Sequence, residues 1–114
     1  MDDSTISRTE LRQAMEDGQV IVVDALPAAA YQRRHLPTAR NLTTDDAATA
    51  GGSVLPDRFA PIVAYSTDTA CTRGPDLVAA LRHLGYEHVR LYAGGIEDWL
   101  AAGLPVEAAP APGS

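Results

Sequence analysis

The sequence predicts a single α/β domain in which a central, mostly parallel sheet is flanked by helices on both faces. Strands are predicted at residues 20–23, 61–65 and 89–92, and the first of these is a continuous run of β-branched residues. Such continuous runs are typical of strands that are buried on both faces. Helical patterns separate the runs, and strands that alternate with helices form a parallel sheet through crossover connections. The length of 114 residues fits one domain.

The first helix is predicted ahead of the first apolar run. Ser7 and Glu10 fit a capping box, in which each side chain binds a backbone amide of the other residue. Leu11 and Met15 then supply an apolar stripe, and Gly18 supplies a stop.

Three further helices are predicted between and after the strands. Residues 28–31 form a short one, and residues 75–84 form a longer one with Pro near its first turn and Gly85 past its end. Residues 96–100 have helical spacing and lead to Gly103, where the last helix is expected to end.

Two segments lack a periodic pattern. Residues 38–52 are polar and contain glycines, so we expect an irregular connection with room for one more turn. Residues 108–114 are rich in Ala, Pro and Gly and predict a flexible tail, which leaves residues 1–107 for the domain.

Composition excludes several classes of partner. Nine basic and fifteen acidic residues give a net charge of −6, whereas nucleic acid and anionic membranes need concentrated positive charge. The basic residues are all arginines, which excludes a lysine Schiff base and a P-loop lysine. The acidic start lacks a signal-peptide pattern, and no apolar stretch approaches the ~18 residues of a membrane span. We therefore expect a cytoplasmic protein that binds neither nucleic acid nor membranes.

Metal and cofactor sites are not expected either. Cys71 is the only cysteine, which excludes an internal disulfide and a zinc site built on several cysteines. His35, His83 and His88 lack the spacing of metal ligands; we expect His35 to be hydrogen-bonded in a turn and the other two to be solvated.

Two pairs of adjacent carboxylates could suggest acid–base chemistry. They are Asp45 with Asp46 and Glu97 with Asp98. Neighbouring side chains on a helix do not face each other, so we expect all four at the solvated surface.

A functional site is expected after Tyr65, because ligands bind at the carboxyl ends of the strands in such sheets. A polar loop follows there and runs into a helix; its residues are Ser66, Thr67, Asp68, Thr69, Ala70, Cys71, Thr72 and Arg73. The N–H groups of such a loop and the dipole of the helix can hold an anion and lower the pKa of a thiol. The hydroxyls alone are better explained as helix caps. The loop therefore predicts sulfur or phosphate chemistry only with support from elsewhere in the chain.

That support is a resemblance to the rhodanese-like domain over residues 6–106. Three signatures in the family's order carry the resemblance. The first is VVDALP at 22–27 with Tyr31 and HLPTARN at 35–41, and the second is IVAY at 62–65 with AAL at 79–81 and LGY at 84–86. The third is GGI at 94–96 with Trp99 and AGLPV at 102–106. Physically, Asp24 can tie nearby loop amides, Gly95 with its neighbour permits tight backbone, and Trp99 can fill the core. Thr38 stands where the family usually has glycine.

The resemblance implies a sulfurtransferase. In this family a loop cysteine takes sulfane sulfur from a donor such as thiosulfate, holds it as a persulfide and passes it to a thiophilic acceptor. Residues 66–73 would form the active-site loop, with Thr67, Asp68, Thr69, Ala70 and Thr72 around the anion. The implied partners are a small sulfur-containing anion or persulfide donor and a thiol acceptor, either a small molecule or a protein.

Ser66 departs from the family pattern, because the family has its nucleophilic cysteine at this first loop position. A serine hydroxyl is barely ionised near neutral pH and cannot carry a transferable persulfide, whereas a thiol with a pKa of ~8.5, lowered in such a loop, is largely thiolate. Natural loss of the thiol or a deliberate Cys-to-Ser replacement would account for the serine. We expect little thiosulfate:cyanide turnover, and Ser66→Cys should raise it.

Cys71 has two interpretations. Some rhodanese-like domains have a second cysteine five residues after the nucleophile; Cys71 would then be a resolving or alternative persulfide-bearing thiol, assisted by the helix N-terminus and Arg73. Alternatively it packs the base of the loop, where burial raises the pKa of the thiol. We favour the second interpretation. Asp68 would also repel an anionic donor such as thiosulfate.

Other functions remain open beside sulfur transfer. One is a catalytically silent module that uses the loop to recognise a partner or an anion, and another is a sulfur carrier based on Cys71. A phosphatase-like relative of the same fold is disfavoured by the missing cysteine and the placement of Arg73. If the loop amides converge, an anion should bind at the start of the helix near Pro75.

Overall fold

A computed structural model describes residues 4–108, in which five helices surround four strands. The strands are β1 (Ile21–Asp24), β2 (Arg40–Asn41), β3 (Ile62–Tyr65) and β4 (Val89–Tyr92). The helices are α1 (Arg8–Glu16), α2 (Ala28–Arg33), α3 (Ala47–Val54), α4 (Arg73–His83) and α5 (Gly95–Ala101). All strand pairs are parallel and the order is β2-β1-β3-β4, which confirms the predicted α/β class.

The sheet separates two apolar cores. Successive residues of the central strand β3 alternate between them: Ile62 and Ala64 face one core, and Val63 and Tyr65 face the other. Helices α3 and α4 cover the first core and α1 and α5 the second, with the buried side chains Ala47, Leu77, Val78, Leu81, Leu11, Ile96 and Trp99. Burial on both faces explains why the central strand β3 is a continuous apolar run.

The predicted signals of α1 are present. The Ser7 hydroxyl accepts from the Glu10 amide at 3.1 Å, and the Glu10 carboxylate accepts from the Ser7 amide at 3.3 Å. Gly18 has a φ of +66°, a left-handed conformation that favours glycine and that ends the helix.

The segment expected to be irregular contains two elements. Within residues 38–52, β2 pairs with β1 at the sheet edge, and α3 begins at Ala47. The Tyr86 hydroxyl lies 3.0 Å from the Gly51 carbonyl oxygen and 2.6 Å from that of Leu55. The sequence favours a loop because two glycines weaken the helix locally, whereas this distant hydroxyl satisfies carbonyls at its end.

The ends of the described chain are tied to the domain. Beside β4, the Ile6 amide donates to the Leu91 carbonyl at 3.0 Å, and the Leu91 amide donates to Ser4 at 2.7 Å. Glu107 and His35 exchange two backbone hydrogen bonds of 2.8 Å. The predicted tail at 108–114 lies outside the described residues except for its first residue. None of the helices in 4–108 has the length and apolar character that crossing a membrane requires.

Candidate functional site

The predicted loop, residues 66–73, lies at the carboxyl end of β3 and leads into α4. Ser66 is buried, with 3% of its surface exposed. The side chains of Thr67, Asp68 and Cys71 are partly exposed, and the other four loop residues are exposed. The loop thus presents a small polar surface above a buried serine.

The start of α5 holds the start of the loop. The Ile96 amide donates to the Ser66 carbonyl, and the Glu97 amide donates to the Thr67 carbonyl, both at 2.9 Å. These two bonds satisfy amides of the first helical turn that have no partner within the helix. They also fix the direction in which Ser66 and Thr67 face.

Two glycines allow the close approach around Ser66. Gly95 has a φ of +65°, and a Cβ atom there would lie 2.4 Å from the Ser66 carbonyl oxygen. A Cβ atom on Gly74 would lie 3.0 Å from the Ser66 hydroxyl oxygen. The tight backbone expected at residues 94–95 is therefore a direct contact with the loop.

Asp68 binds amides within the loop. Its Oδ1 atom accepts from the Ala70 amide at 3.0 Å and from the Cys71 amide at 3.1 Å. We expected the loop amides to converge on a bound anion; for Ala70 and Cys71 that expectation is wrong, because a carboxylate of the chain already takes them. The Asp68 carboxylate therefore occupies the place at these two amides that a bound anion would take.

The thiol of Cys71 lies among hydrogen-bond donors. Burial raises the pKa of the thiol. Hydrogen bonding by the Ser66 hydroxyl, the Thr67 amide and hydroxyl and the Arg73 amide lowers it by more, so the net pKa lies below the ordinary value. We expected a cysteine buried at the base of the loop; the residue is instead partly buried rather than fully buried.

Arg73 contributes its backbone more than its side chain. It is the first residue of α4, and its amide is one of the donors to Cys71. Its side chain is exposed, and within residues 4–108 the ion pairs do not include it. Its guanidinium is therefore available at the rim of the loop.

A buried network supports the strand ends beneath the loop. The Asp24 carboxylate is fully buried and accepts from the Leu26 amide at 2.8 Å and from the Tyr65 hydroxyl at 2.7 Å. The Leu36 amide donates to the Tyr65 oxygen at 3.0 Å. Burial raises the pKa of Asp24 although these hydrogen bonds oppose the rise, and burial together with Asp24 raises the pKa of Tyr65. Asp24 ties a loop amide as expected, and the network joins the ends of β1 and β3.

A cleft next to the loop was not predicted from the sequence. It has a volume of about 520 Å³ and lies between α2, the loop and the start of α5. Arg33 and Arg34 line one side, Thr67 lines another, and Leu26 and Ile96 are among its apolar residues. The residues of the cleft come from three segments that are distant in the sequence. The pair of adjacent arginines, Arg33 and Arg34, is the one sequence feature that could have indicated it.

Most of the remaining candidates lie outside this site; Glu97 is the exception, because it lines the cleft beside the loop. The Nδ1 atom of His35 lies 2.7 Å from the Tyr31 carbonyl oxygen, as expected for a structural histidine, and His83 and His88 are exposed. In the described chain, 4–108, no three His, Cys, Asp or Glu side chains come together as a metal site requires. Asp45, Asp46 and Glu97 are exposed.

Asp98 differs from the solvated carboxylate that we expected. It is partly buried, accepts from the Arg8 guanidinium at 3.0 Å and accepts from the Tyr92 hydroxyl. The Tyr92 hydrogen bond and the Arg8 charge lower the pKa of Asp98. This carboxylate ties α5 to α1 and β4 rather than serving the loop.

Comparison with known proteins gives a family match over most of the chain. The family model of the rhodanese-like domain matches residues 7–102. An HTH-type transcriptional regulator of Mycobacterium tuberculosis is 39% identical over 105 residues, which are 92% of this chain and 45% of the regulator. The chain therefore spans less than half the length of that relative.

Solved structures share the fold. A crystal structure of a Bacillus halodurans protein superposes with a TM-score of 0.85 at 27% identity and covers 93% of this chain and 77% of that one. The rhodanese-like domain of an Anabaena protein gives a TM-score of 0.79 at 23% identity, with 100% and 87% coverage. A rhodanese with anions from E. coli gives 0.64 at 21% identity, with 78% and 98% coverage.

Proposed function

Because this chain belongs to the rhodanese-like domain family, we propose that its loop handles sulfane sulfur and that Cys71 is the thiol that carries it. In this proposal Ser66, at the position where the family resemblance expects the nucleophile, supports that thiol, because its side chain lowers the pKa of Cys71. The partners are a small persulfide or sulfur-containing anion as donor and a thiol as acceptor. We place the reaction in the cytoplasm, where a lone cysteine stays reduced.

The environment of Cys71 carries this proposal. Donors from Ser66, Thr67 and Arg73 lower the pKa of the thiol, and Cys71 is a partly exposed residue rather than a fully buried one. The thiolate is the reactive form in sulfur exchange. A cysteine that only packed the loop base would have neither feature.

The transfer consists of two nucleophilic displacement reactions at sulfur. The Cys71 thiolate attacks the terminal sulfur of a persulfide R–S–SH; the new S–S bond forms, the old one breaks, and R–S⁻ leaves with the electron pair. An acceptor thiolate then attacks the terminal sulfur of the Cys71 persulfide, and the Cys71 thiolate leaves. The donors that stabilise the thiolate stabilise the leaving group of this second step.

Ordinary thiosulfate:cyanide turnover is not part of this proposal. Ser66 cannot hold sulfane sulfur, and the Asp68 carboxylate lies in the loop that a thiosulfate dianion would have to enter. The serine has either a natural or a deliberate origin, and a cysteine codon at this position of the gene would identify the deliberate one. In either case the Cys71 thiol is the nucleophile that the chain offers.

A second candidate is a regulatory or binding module without turnover. The curated relative is named a transcriptional regulator, and Asp68 already occupies two loop amides. In such a module the Cys71 persulfide would be a signal rather than an intermediate. Failure of the second transfer step, with the first intact, would favour this candidate.

The test measures persulfide formation on the native protein. Incubation with a small persulfide donor near neutral pH should add the mass of one sulfur atom, located at Cys71, and a thiol acceptor should remove it. Cys71→Ser should abolish the adduct. Ser66→Ala should keep the adduct but slow its formation by about threefold to tenfold, since one donor to the thiolate is lost.

The variant Ser66→Cys is the matched gain-of-function control, because it installs a thiol where the family resemblance expects the nucleophile. It should raise thiosulfate:cyanide turnover above that of the present chain. A native protein that gains no sulfur at Cys71, while the unfolded protein does, would contradict the proposal.

A further inference from the structure

We propose that the amino end of the sheet carries a docking surface for an acidic peptide segment that contains an apolar side chain. The surface consists of Phe59, two depressions beside it, and the arginines Arg82 and Arg90. Pro61, which lines both depressions, directly precedes β3, whereas the loop at 66–73 directly follows that strand. The surface therefore lies at the end of the sheet opposite to the loop, and the inference goes beyond the proposed function without depending on it.

Phe59 is the starting point of this inference. Within residues 4–108 it is the one large apolar side chain that is exposed, with 68% of its surface open to solvent. A single exposed apolar side chain is common and by itself indicates no function. The turn that carries Phe59, the apolar surface around it and the charge next to it distinguish this one.

The turn that carries Phe59 is fixed to the rest of the domain. The Phe59 amide donates to the Asp57 carboxylate at 2.8 Å, and the Glu87 amide donates to the Arg58 carbonyl at 3.1 Å. The guanidinium carbon of Arg58 lies 5.5 Å from the centroid of the Tyr86 ring. A partner that covers Phe59 therefore has to order little of this chain, which keeps the entropic cost of binding low.

Apolar surface continues on either side of this turn. One depression, with a volume of about 640 Å³, is lined in part by Phe59, Pro61 and Val89. The other, of about 510 Å³, is lined in part by Pro61, Ala60 and Ile21. Because Pro61 lines both, the two depressions are neighbours across the amino ends of β1 and β3. A peptide side chain that enters either of them can also contact Phe59 or Pro61.

The charge beside Phe59 points to an acidic partner. Arg82 and Arg90 line the larger depression although the net charge of the chain is −6, and Glu87 is the one carboxylate among its lining residues. Neither arginine takes part in an ion pair within the described residues, 4–108. The Arg82 guanidinium donates to the Val89 carbonyl at 2.7 Å, which orients it, and a guanidinium has further N–H groups for a carboxylate.

A peptide fits this surface better than nucleic acid does. Nucleic acid binds to positive charge that extends along a groove or stripe, whereas two arginines beside one glutamate form a small local site. Carboxylates for the two arginines and an apolar side chain for Phe59 match the surface in number and in kind.

The test measures the binding of three short peptides that carry the same uncharged fluorophore, by fluorescence anisotropy. The probe is Glu-Asp-Trp-Asp-Glu; one control peptide, Gln-Asn-Trp-Asn-Gln, lacks the charges, and the other, Glu-Asp-Gly-Asp-Glu, lacks the apolar side chain. The protein should bind the probe at least about fivefold more tightly than either control peptide. The preference over the uncharged peptide should decrease as salt is added.

Variants of the protein check where the probe binds. Phe59→Ala should weaken binding of the probe by about tenfold, whereas Phe59→Leu, which keeps an apolar side chain, should stay within about threefold of the parent protein. Replacing both arginines, as Arg82→Gln with Arg90→Gln, should remove most of the preference for the acidic peptide. Arg12→Gln is the matched control, because Arg12 is an exposed arginine on α1 that lines neither depression; it should leave the affinity unchanged.

Several results would overturn the proposal. They are no binding of the probe, equal affinity for the probe and the uncharged peptide, and binding that is unchanged by Phe59→Ala. Tighter binding of single-stranded DNA than of the probe would also overturn it. So would a parent protein that is a dimer in solution and becomes a monomer on Phe59→Ala, because a second copy of the chain would then cover the surface. None of these measurements uses Cys71, so they can fail while the protein forms a persulfide, and the reverse also holds.

Discussion

The hydrogen-bond donors of the loop are divided between Asp68 and Cys71. Asp68 takes the amides of Ala70 and Cys71, while Ser66, Thr67 and Arg73 donate toward the Cys71 sulfur. Sequence reasoning located all of these residues but not this division, since it depends on the conformation of the loop. The identity of a residue at the nucleophile position therefore does not by itself decide whether the loop can hold sulfur.

Thr38 provides a test of strain at a single residue. Its φ is +64°, a left-handed conformation that is costly for a β-branched side chain, and its amide donates to the Glu107 carboxylate at 2.9 Å. Thr38→Gly keeps that hydrogen bond and removes the strain. We expect the free energy of unfolding to rise by about 1 kcal/mol, measured by urea denaturation.

The control for Thr38 is the reverse change at Gly18, which has a similar φ of +66° and open space around its missing Cβ. Gly18→Ala should lower stability by about the same amount. A Thr38→Gly variant that is less stable than the parent protein would show that the side chain contributes more than its backbone strain costs.

At the scale of elements, the start of α5 is the part that positions the loop. Its Ile96 amide binds the Ser66 carbonyl, and Gly95 leaves no room for a Cβ atom beside the same residue. The resemblance of the sequence to a known family pointed to this glycine pair, whereas the contact with the loop emerged only from the packing of α5 against β3. Helices with strong periodic patterns were predictable from the sequence. Helix α3 was not, because the hydroxyl of the distant Tyr86 binds carbonyl groups at its end.

Alanine substitutions at two glycines with similar φ angles distinguish the cost of backbone strain from the cost of a steric clash. Gly95 has a φ of +65° and would place a Cβ atom 2.4 Å from the Ser66 carbonyl oxygen, whereas Gly103 has a φ of +75° and nothing within 4 Å. Gly103→Ala should cost about 1–2 kcal/mol of unfolding free energy. Gly95→Ala should cost about 1–3 kcal/mol more and should also slow alkylation of Cys71, because α5 and the loop must separate.

Equal losses of stability for the two alanine variants would contradict this account of α5. The account would also be contradicted if Cys71 is alkylated at the parent rate in both variants, Gly95→Ala and Gly103→Ala. Circular dichroism of both variants shows whether the fold is retained before the rates are compared.

At the scale of the whole molecule, the parallel sheet gathers groups from distant parts of the chain at one edge. The carboxyl ends of β1 and β3 bring Asp24 and Tyr65 together under the loop, and α2 and α5 place Arg34 and Glu97 beside it. Strands β1, β3 and β4 were predictable from the sequence, since buried strands are rich in apolar residues, whereas β2 is a short polar strand at the sheet edge and was not predicted. The cleft was not, because its residues are ordinary surface residues until the fold assembles them.

The central claim is that the loop is organised around a Cys71 thiolate, and the pH dependence of alkylation by a neutral reagent such as iodoacetamide tests it most directly. A lowered pKa means that the thiolate forms at a lower pH than in a free thiol, so the rate should reach half its maximum at a lower pH than for a small free thiol measured in the same way. Ser66→Ala should move that midpoint upward. A midpoint at or above that of a free thiol, or reaction only after unfolding, would contradict the account.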